Sequence, residues 1–505
     1  MADVFENGKF SDASREEHAI CDRGRSKSVM PTRQRLPRTA HPLTEATLPL
    51  ILGALDAPSA MKNLVVLHLE SLSRQRLAAF APVLPHTTRL LQEAVFFDNF
   101  FASATSTLMV VSYLFHGNDF EYDTSSKFEG MLPAVNNPNV FSILRERGYH
   151  ADLICLNGYQ HVRPIELSSW TGGLPPIWGT HDFPSLFARF DELTDAEPFA
   201  IYVWDLITHI AHSLAVSPQA RGLTDQLRRA WAIADDAIGH LRAILERKGL
   251  LENTTIVTYG DHGDDPWTHG FKGGLTHGTE PHTDIIWTPL AIRDPGRAPA
   301  RVDRLARTID IAPTCLALLG IEAKLPFSHS GVDLFHDDAE FAYSQNFAAN
   351  QPDRPRIGIA KAFSVTDADH TLLASSRGLE FYAHRLDPGN HCNLLHLFEL
   401  DKTGRPVLVP QPGAATHYKA AWEDNPTSAE GLADDFLRMK RALAARVDAK
   451  QAYIVERGVA PRHALDPARL EAINREGRDV FYRRAPTPGA APAAMPAFDI
   501  SFKLR

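Results

Sequence analysis

Short apolar runs that stop at a carboxylate recur along this chain. Leu64-Val65-Val66-Leu67-His68-Leu69 has the length of a buried strand, and Glu70-Ser71 ends it. Val95-Phe96-Phe97-Asp98-Asn99-Phe100-Phe101 and Ala151-Asp152-Leu153-Ile154-Cys155-Leu156 predict two more strands, and Phe199-Ala200-Ile201-Tyr202-Val203-Trp204 predicts another that ends at Asp205. Between them the period changes. Val140–Glu146 reads as a short helix. Leu227, Trp231, Ala234, Ile238, Leu241 and Leu245 fall at alternating spacings of four and three, one apolar stripe on a long helix that Lys248-Gly249 closes. The β-branched run Asn253-Thr254-Thr255-Ile256-Val257-Thr258 then opens into Tyr259-Gly260-Asp261-His262-Gly263. This alternation predicts an α/β protein, a three-layer α/β/α sandwich around a mostly parallel central sheet. In such sheets chemistry gathers at the carboxyl ends of the strands, and Glu70, Asp205 and Asp261 all fall there.

The sandwich is expected to occupy residues 61–340. Residues 1–60 read as a polar arm whose composition cannot bury a core; Asp3, Glu6, Asp12, Glu16 and Glu17 argue against an acid-poor transit peptide. The short alternating pieces over 357–400 predict a small antiparallel sheet, hence an α+β subdomain over 341–425. Residues 426–505 supply a helix near 428–457 and then a Pro/Ala-rich tail, Ala485-Pro486-Thr487-Pro488-Gly489-Ala490-Ala491-Pro492.

The composition, 44% hydrophobic and 22% charged, is that of a globular chain, and the net charge of −9 argues against a general nucleic-acid binder. Cys21, Cys155, Cys315 and Cys392 form no CxxC pair and suggest no disulfide framework. No apolar run of about 18 residues and no signal-peptide core is visible, so a cytoplasmic protein without a transmembrane segment is expected.

The strand ends carry the candidate chemistry. Glu70, Asp261 and His262 offer two carboxylates and an imidazole; Asp205 and His209 stand four residues apart, within reach of one point; His277 adds a further imidazole. Mixed oxygen and nitrogen donors suit zinc or manganese, and two such ions about 4 Å apart clamp an in-line displacement. His68, His212, His269 and His282 lie nearby without an assigned role, His282 being the alternative to His277. Ser103-Ala104-Thr105-Ser106-Thr107 follows the second strand and is dense in hydroxyls, one of which would be a strong nucleophile once a cation stabilised its alkoxide.

In this order the segments resemble the sulfatase-like branch of the alkaline phosphatase superfamily, over Asn63 to about Leu400. Asn63 through Ser71 resembles the first strand and metal ligand of phosphoethanolamine and lipoteichoic acid-type transferases, which carry Glu-Ser where sulfatases carry paired Asp. Asn253 through Gly263 resembles the family's Asp-His-Gly strand; Asp310-Ile311-Ala312-Pro313-Thr314 and Gly331-Val332-Asp333-Leu334 resemble its closing segments. Asp205 and His209 resemble the Asp-x-x-x-His pair of two-zinc phosphodiesterases, and His277-Gly278 with Pro281 the His-Gly segment of the phosphoethanolamine transferases.

The chain holds no Cys-x-Pro-x-Arg, the segment whose cysteine becomes formylglycine in sulfatases. Counting ten back from Gly117 reaches Thr107, the residue type used by phospho-transferring relatives, with Thr105 as the alternative. The resemblance therefore implies Glu70, Thr107, Asp261 and His262 at one metal and Asp205, His209 and His277 at a second, with Lys272 binding substrate charge. It implies a phospho-threonine intermediate in the hydrolysis or transfer of a phosphomonoester or phosphodiester. The substrate would be a small molecule, a glycan or a lipid headgroup. The rival readings are a sulfuric or phosphonic ester hydrolase without formylglycine, and a non-catalytic binding protein on the same scaffold.

Overall fold

The computed structural model describes residues 61–119, 138–156, 178–180, 182–209, 223–265, 269, 277–323, 325, 331–346, 362–375, 378–396, 398–400, 406–408 and 425–456. The N-terminal arm, the Pro/Ala-rich tail, Lys272 and His212 lie outside the described residues.

Eight strands form the central sheet: β1 (Asn63–Leu69), β2 (Val95–Phe101), β3 (His150–Leu156), β4 (Trp178–Thr180), β5 (Phe199–Asp205), β6 (Thr254–Gly260), β7 (Leu290–Arg293) and β8 (Ala300–Arg307). Their spatial order is β4-β3-β5-β1-β6-β7-β2-β8. Every pairing is parallel except the two made by β7. The fold is thus the mostly parallel α/β architecture that the strand and helix alternation predicted.

The two-residue period of the strands sorts their side chains onto two faces. Val65, Leu67 and Leu69 of β1, with Phe199, Ile201 and Val203 of β5, face one apolar cluster. That cluster is completed by α5 (Phe183–Leu193) and α6 (Leu223–Arg247), numbered after α1 (Arg74–Phe80), α2 (Pro85–Gln92), α3 (Thr107–His116) and α4 (Val140–Glu146). The α6 stripe Leu227, Trp231, Ala234, Ile238, Leu241 and Leu245 is buried along its whole length. The alternate residues, Leu64 and Val66 with Ala200, Tyr202, Trp204, Val257 and Tyr259, face a second cluster built on α3, α4 and α7 (Ile311–Leu318). His68, Glu70 and Asp261 continue the parity of this second face, so the strands carry them toward the side on which α3 begins.

Beyond the sandwich, β9 (Ala342–Gln345), β10 (Phe363–Thr366), β11 (Thr371–Ser375) and β12 (Gly378–Tyr382) make a four-stranded antiparallel sheet in the order β12-β11-β10-β9, and the hairpin β13 (Phe398–Leu400) and β14 (Pro406–Leu408) stands beyond it. The helix α8 (Ala429–Glu456) lays Leu432, Phe436, Met439 and Leu443 on the same apolar cluster as Phe363, Val365, Leu372 and Phe381. Hydrogen bonds join this C-terminal unit to the sandwich. Thr105 N donates to Gln345 O at 3.1 Å and Gln345 N to Ser103 O at 3.3 Å, while Thr283 N donates to Asn390 Oδ1 at 2.7 Å. Among the described residues no helix is long and apolar enough to cross a membrane.

Candidate metal centre

At the carboxyl end of β1 the chain turns sharply. Ser71 takes φ +60°, an uncommon backbone for a residue with a side chain. The turn aims its N–H at Asp261 Oδ1, 2.9 Å away, across the neighbouring strand end. Glu70 Oε2 accepts from the Trp204 indole at 2.8 Å, which fixes the carboxylate and leaves Oε1 pointing at Thr107 Oγ1, 3.0 Å away. Thr107 is the first residue of α3, where the helix dipole favours negative charge on its oxygen. Its Oγ1 also lies 2.9 Å from His262 Nε2. Thr105, the alternative nucleophile, is buried with no hydrogen bond to its hydroxyl among the described residues, and its backbone is taken up by Gln345 and Gly278.

The hydrogen count shows what this group lacks. His262 Nδ1 is 2.8 Å from the carbonyl of Gly263, which can only accept, so in the neutral ring the Nε2 lone pair faces Thr107. Glu70 Oε1 and Asp261 Oδ2 are acceptors as well, and Asp261 Oδ2 is 3.3 Å from His262 Nε2. Against these three acceptors stand one hydroxyl hydrogen on Thr107 and the Nε2 side of His68, 3.2 Å behind Asp261 Oδ2. Glu70, Asp261 and His262 are fully buried, and Thr107 is 6% exposed. Convergent buried lone pairs with too few hydrogens are what a cation satisfies, so the four residues fit a divalent metal of oxygen and nitrogen preference. Gly263 is required beside them, since a Cβ there would stand 2.2 Å from Asp284 O.

Charge in the group is balanced locally. His68 packs behind the carboxylates, with Nε2 at 3.2 Å from Asp261 Oδ2 and 3.4 Å from Glu70 Oε2. Burial alone would lower its pKa, but the two carboxylates outweigh burial and raise it to about 9. Burial and the Asp261 charge push Glu70 up, and His68 overcomes both to hold it below its ordinary value. Against burial, His262, His68 and the Ser71 amide hold Asp261 well below the carboxylate range.

A second group adjoins the first. His277 Nδ1 is 2.8 Å from Asp264 Oδ1, and Arg76 Nη1 donates to Asp264 Oδ2 at 2.8 Å. The His277 ring lies 4.3 Å from that of His262 and 5.1 Å from that of His209, centroid to centroid. His262, Asp264 and His277 place a ligand atom each within 4.8 Å of one another, as His68, Glu70 and Asp261 do. Burial would lower His277, but Asp264 outweighs it and raises the pKa; burial lowers that of His209. The Gly278 N–H, bonded to Thr105 O at 2.6 Å, draws the His277 loop against the start of α3.

Of the residues expected from sequence, the structure brings Glu70, Thr107, Asp261 and His262 into one group and sets His209 and His277 beside it. Asp205 is not drawn into either group of candidate ligands. Its Oδ1 accepts from Ile207 N at 2.8 Å, its Oδ2 takes no hydrogen bond among the described residues, and burial raises its pKa to about 7. His282 stacks on His269 at 3.6 Å rather than on the His262–His277 pair. Sequence reading passed over Asp264 and Arg76 and left His68 without a role. The strand parity that links residue 68 to residue 70 was the available signal for His68.

With this geometry in hand, the comparisons with known proteins place the chain. The Sulfatase family matches residues 62–321, just over half of the chain, and the chain belongs to that family. An ulvan-active sulfatase of Formosa agariphila is 23% identical over 360 residues, 59% of this chain and 56% of that protein. Lipoteichoic acid synthase of Staphylococcus aureus is 31% identical over 105 residues, 20% of this chain and 16% of the synthase. The chain thus spans little more than half the length of the first relative and much less of the second. Among solved structures, a 2-O GAG sulfatase superposes with a TM-score of 0.52 at 16% identity, covering 66% of this chain and 87% of that one. The phosphonate monoester hydrolase of Agrobacterium radiobacter gives 0.50 at 16%, covering 69% and 100%. These two likenesses support the fold.

Proposed function

We propose that this chain is a metal-dependent ester hydrolase or transferase that acts on a phospho group through Thr107. The observation that carries the reading is the position of Thr107 Oγ1, at the start of a helix and within 3.0 Å of both Glu70 Oε1 and His262 Nε2. A hydroxyl there takes the place of the formylglycine that the missing Cys-x-Pro-x-Arg would supply.

Glu70, Thr107, Asp261 and His262 would hold the cation, zinc or manganese, which supplies positive charge to stabilise the Thr107 alkoxide and the non-bridging oxygens of the substrate. Thr107 Oγ1 attacks phosphorus as the bond to the leaving oxygen breaks, giving a phospho-threonine; water or an acceptor hydroxyl then cleaves it. His277 and His209 face the same space and suit the substrate's oxygens. The sequence led to two ions. Both oxygens of Asp264 already serve His277 and Arg76, and Asp205, one oxygen of which is bonded to Ile207 N, joins neither candidate group, so we take one ion per chain. Lys272 remains a candidate for substrate charge.

The named relatives keep a second reading in play. One is called a sulfatase and one structure a phosphonate monoester hydrolase, so a sulfuric or phosphonic ester is the rival substrate class. The chemistry suits a small molecule, a glycan or a lipid headgroup carrying such an ester.

The test is metal content after purification, followed by turnover of p-nitrophenyl phosphate, phenylphosphonate and sulfate by wild type and Thr107→Ala. Phosphate-ester turnover that is lost in Thr107→Ala supports the reading, and the preferred ester fixes the class. Turnover that survives in Thr107→Ala removes the threonine mechanism. A protein that takes up no cation on add-back returns the reading to a binding protein.

A further inference from the structure

We propose that His68 is a positioning residue for the metal ligands, held in place by Tyr202 and Tyr259 and donating its Nε2 hydrogen to the carboxylates of Asp261 and Glu70. The inference rests on the metal reading above and concerns the residues behind the ligands.

His68, Trp204 and Tyr259 occupy one row across three neighbouring parallel strands, since His68 is paired with Trp204 on β5 and with Tyr259 on β6. All three, with Tyr202, are at most 3% exposed. Elsewhere on this face β1 presents Leu64 and Val66, which need no partners. An imidazole in the same row is costly unless both nitrogens are served.

Nδ1 has a hydrogen-bond partner, and Nε2 faces two carboxylates at ion-pair distance. Nδ1 lies 2.6 Å from the Tyr202 hydroxyl, and that hydroxyl lies 2.9 Å from the hydroxyl of Tyr259. Whether Tyr202 donates to Nδ1 of a neutral ring or accepts from Nδ1 of a charged one, Nε2 carries a hydrogen, and it faces Asp261 Oδ2 at 3.2 Å and Glu70 Oε2 at 3.4 Å. The ring plane is fixed too: it lies parallel to Trp204, 2° apart at 5.3 Å, and against Tyr259 at 5.2 Å. Trp204 donates to the same Glu70 oxygen, and Ser71 N–H holds Asp261 Oδ1. One buried row thus fixes both carboxylates from behind. Outer partners of this kind set the geometry and basicity of metal ligands, and their loss typically weakens metal binding about 10- to 100-fold.

The test is the affinity of chelator-stripped protein for Zn²⁺ and for Mn²⁺ by titration calorimetry, in wild type, His68→Leu, His68→Gln and Tyr202→Phe. It is paired with the visible spectrum of the Co²⁺-loaded forms. The expected result is binding weakened about 10- to 100-fold in His68→Leu and less in Tyr202→Phe. His68→Gln should recover most of the loss, because its amide N–H reaches the carboxylates. The Co²⁺ spectrum at saturation should be the same in wild type and His68→Leu. Wild-type affinity in both His68→Leu and Tyr202→Phe overturns the inference, and so does a Co²⁺ spectrum that loses a nitrogen ligand, which would make His68 a direct ligand. Should His68→Leu fail to fold, Tyr202→Phe, which deletes a single oxygen, decides by the same criterion. Wild type that binds none of these cations overturns the metal reading and this inference together, whereas tight wild-type binding with unaltered variants overturns the inference alone.

Discussion

The backbone N–H of Gly278 donates to the carbonyl of Thr105 at 2.6 Å, which fastens the loop bearing His277 to the turn bearing Thr107. Gly278 adopts φ +75°, where a side chain is strained by about 1–2 kcal/mol. Gly278→Ala is therefore expected to lower stability by that order and to slow ester turnover by displacing His277. Its metal content should match wild type, because none of Glu70, Thr107, Asp261 and His262 is on that loop. Metal analysis beside a kinetic assay checks it, and loss of the metal would mean that the loop holds the ion.

Asp264 separates the one-ion and two-ion readings. With its oxygens bonded to His277 and Arg76, its work is to orient His277. Asp264→Asn should cut turnover about 10- to 100-fold, the usual loss for an orienting partner, and leave the metal stoichiometry unchanged. A drop from two bound ions to one would instead make Asp264 a ligand.

Ser71 carries its strain for the sake of one N–H. Its hydroxyl is buried without a hydrogen bond among the described residues, so Ser71→Gly loses little and relieves the backbone at φ +60°. Thermal denaturation should place Ser71→Gly within about 1 kcal/mol of wild type, with metal retained. Ser71→Val, β-branched at the same φ, should unfold at markedly lower temperature. Equal melting of the two variants would argue against a left-handed turn here.

His384 gives the stability a pH dependence of known sign. It is buried where the small sheet meets the sandwich, 5.3 Å from Phe101 and 5.1 Å from Trp287 between ring centroids. Burial lowers its pKa from 6.5 to about 3. A depressed folded pKa means stability that is complete above the unfolded value and is lost as pH falls from about 6.5 toward 3, by a few kcal/mol in all. Urea unfolding of metal-free protein across that window should show the loss. His384→Gln, which keeps an acceptor for the Thr371 hydroxyl and cannot be protonated, should flatten it. An equal slope in both proteins would place the acid sensitivity elsewhere.

Much of the fold was legible because its strands are apolar and end abruptly. β1, β5 and β6 begin and end within a residue or so of the runs read from sequence, and α6 buries the stripe that its period announced. β8 was not legible. As an edge strand it carries Arg301, Asp303, Arg304 and Arg307 and lacks an apolar run, the charged composition by which sheet edges avoid further pairing. The reversed strand β7 was equally hidden, since four residues of Leu-Ala-Ile-Arg state no direction. In the site, Glu70 and the Asp261–His262 pair could be read because they terminate strands. Asp264 could not, because its role depends on Arg76, 188 positions earlier, and on a loop that folds back to it. Asp205 looked equivalent to Glu70 and Asp261 at a strand end, yet a local turn with Ile207 took its near oxygen.

The edge of the small sheet reaches the turn before Thr107: Ser344 donates to Ala102 O across 242 positions of chain, and Gln345 exchanges backbone hydrogen bonds with Ser103 and Thr105. All four residues that fit the cation precede Gln345, and that residue completes the clamp on the turn before Thr107 that Gly278 begins. A nascent chain emerging from the ribosome would therefore carry its proposed ligands well before Thr107 was fully held, and a gene fragment cut near position 340 is expected to bind metal but turn over little.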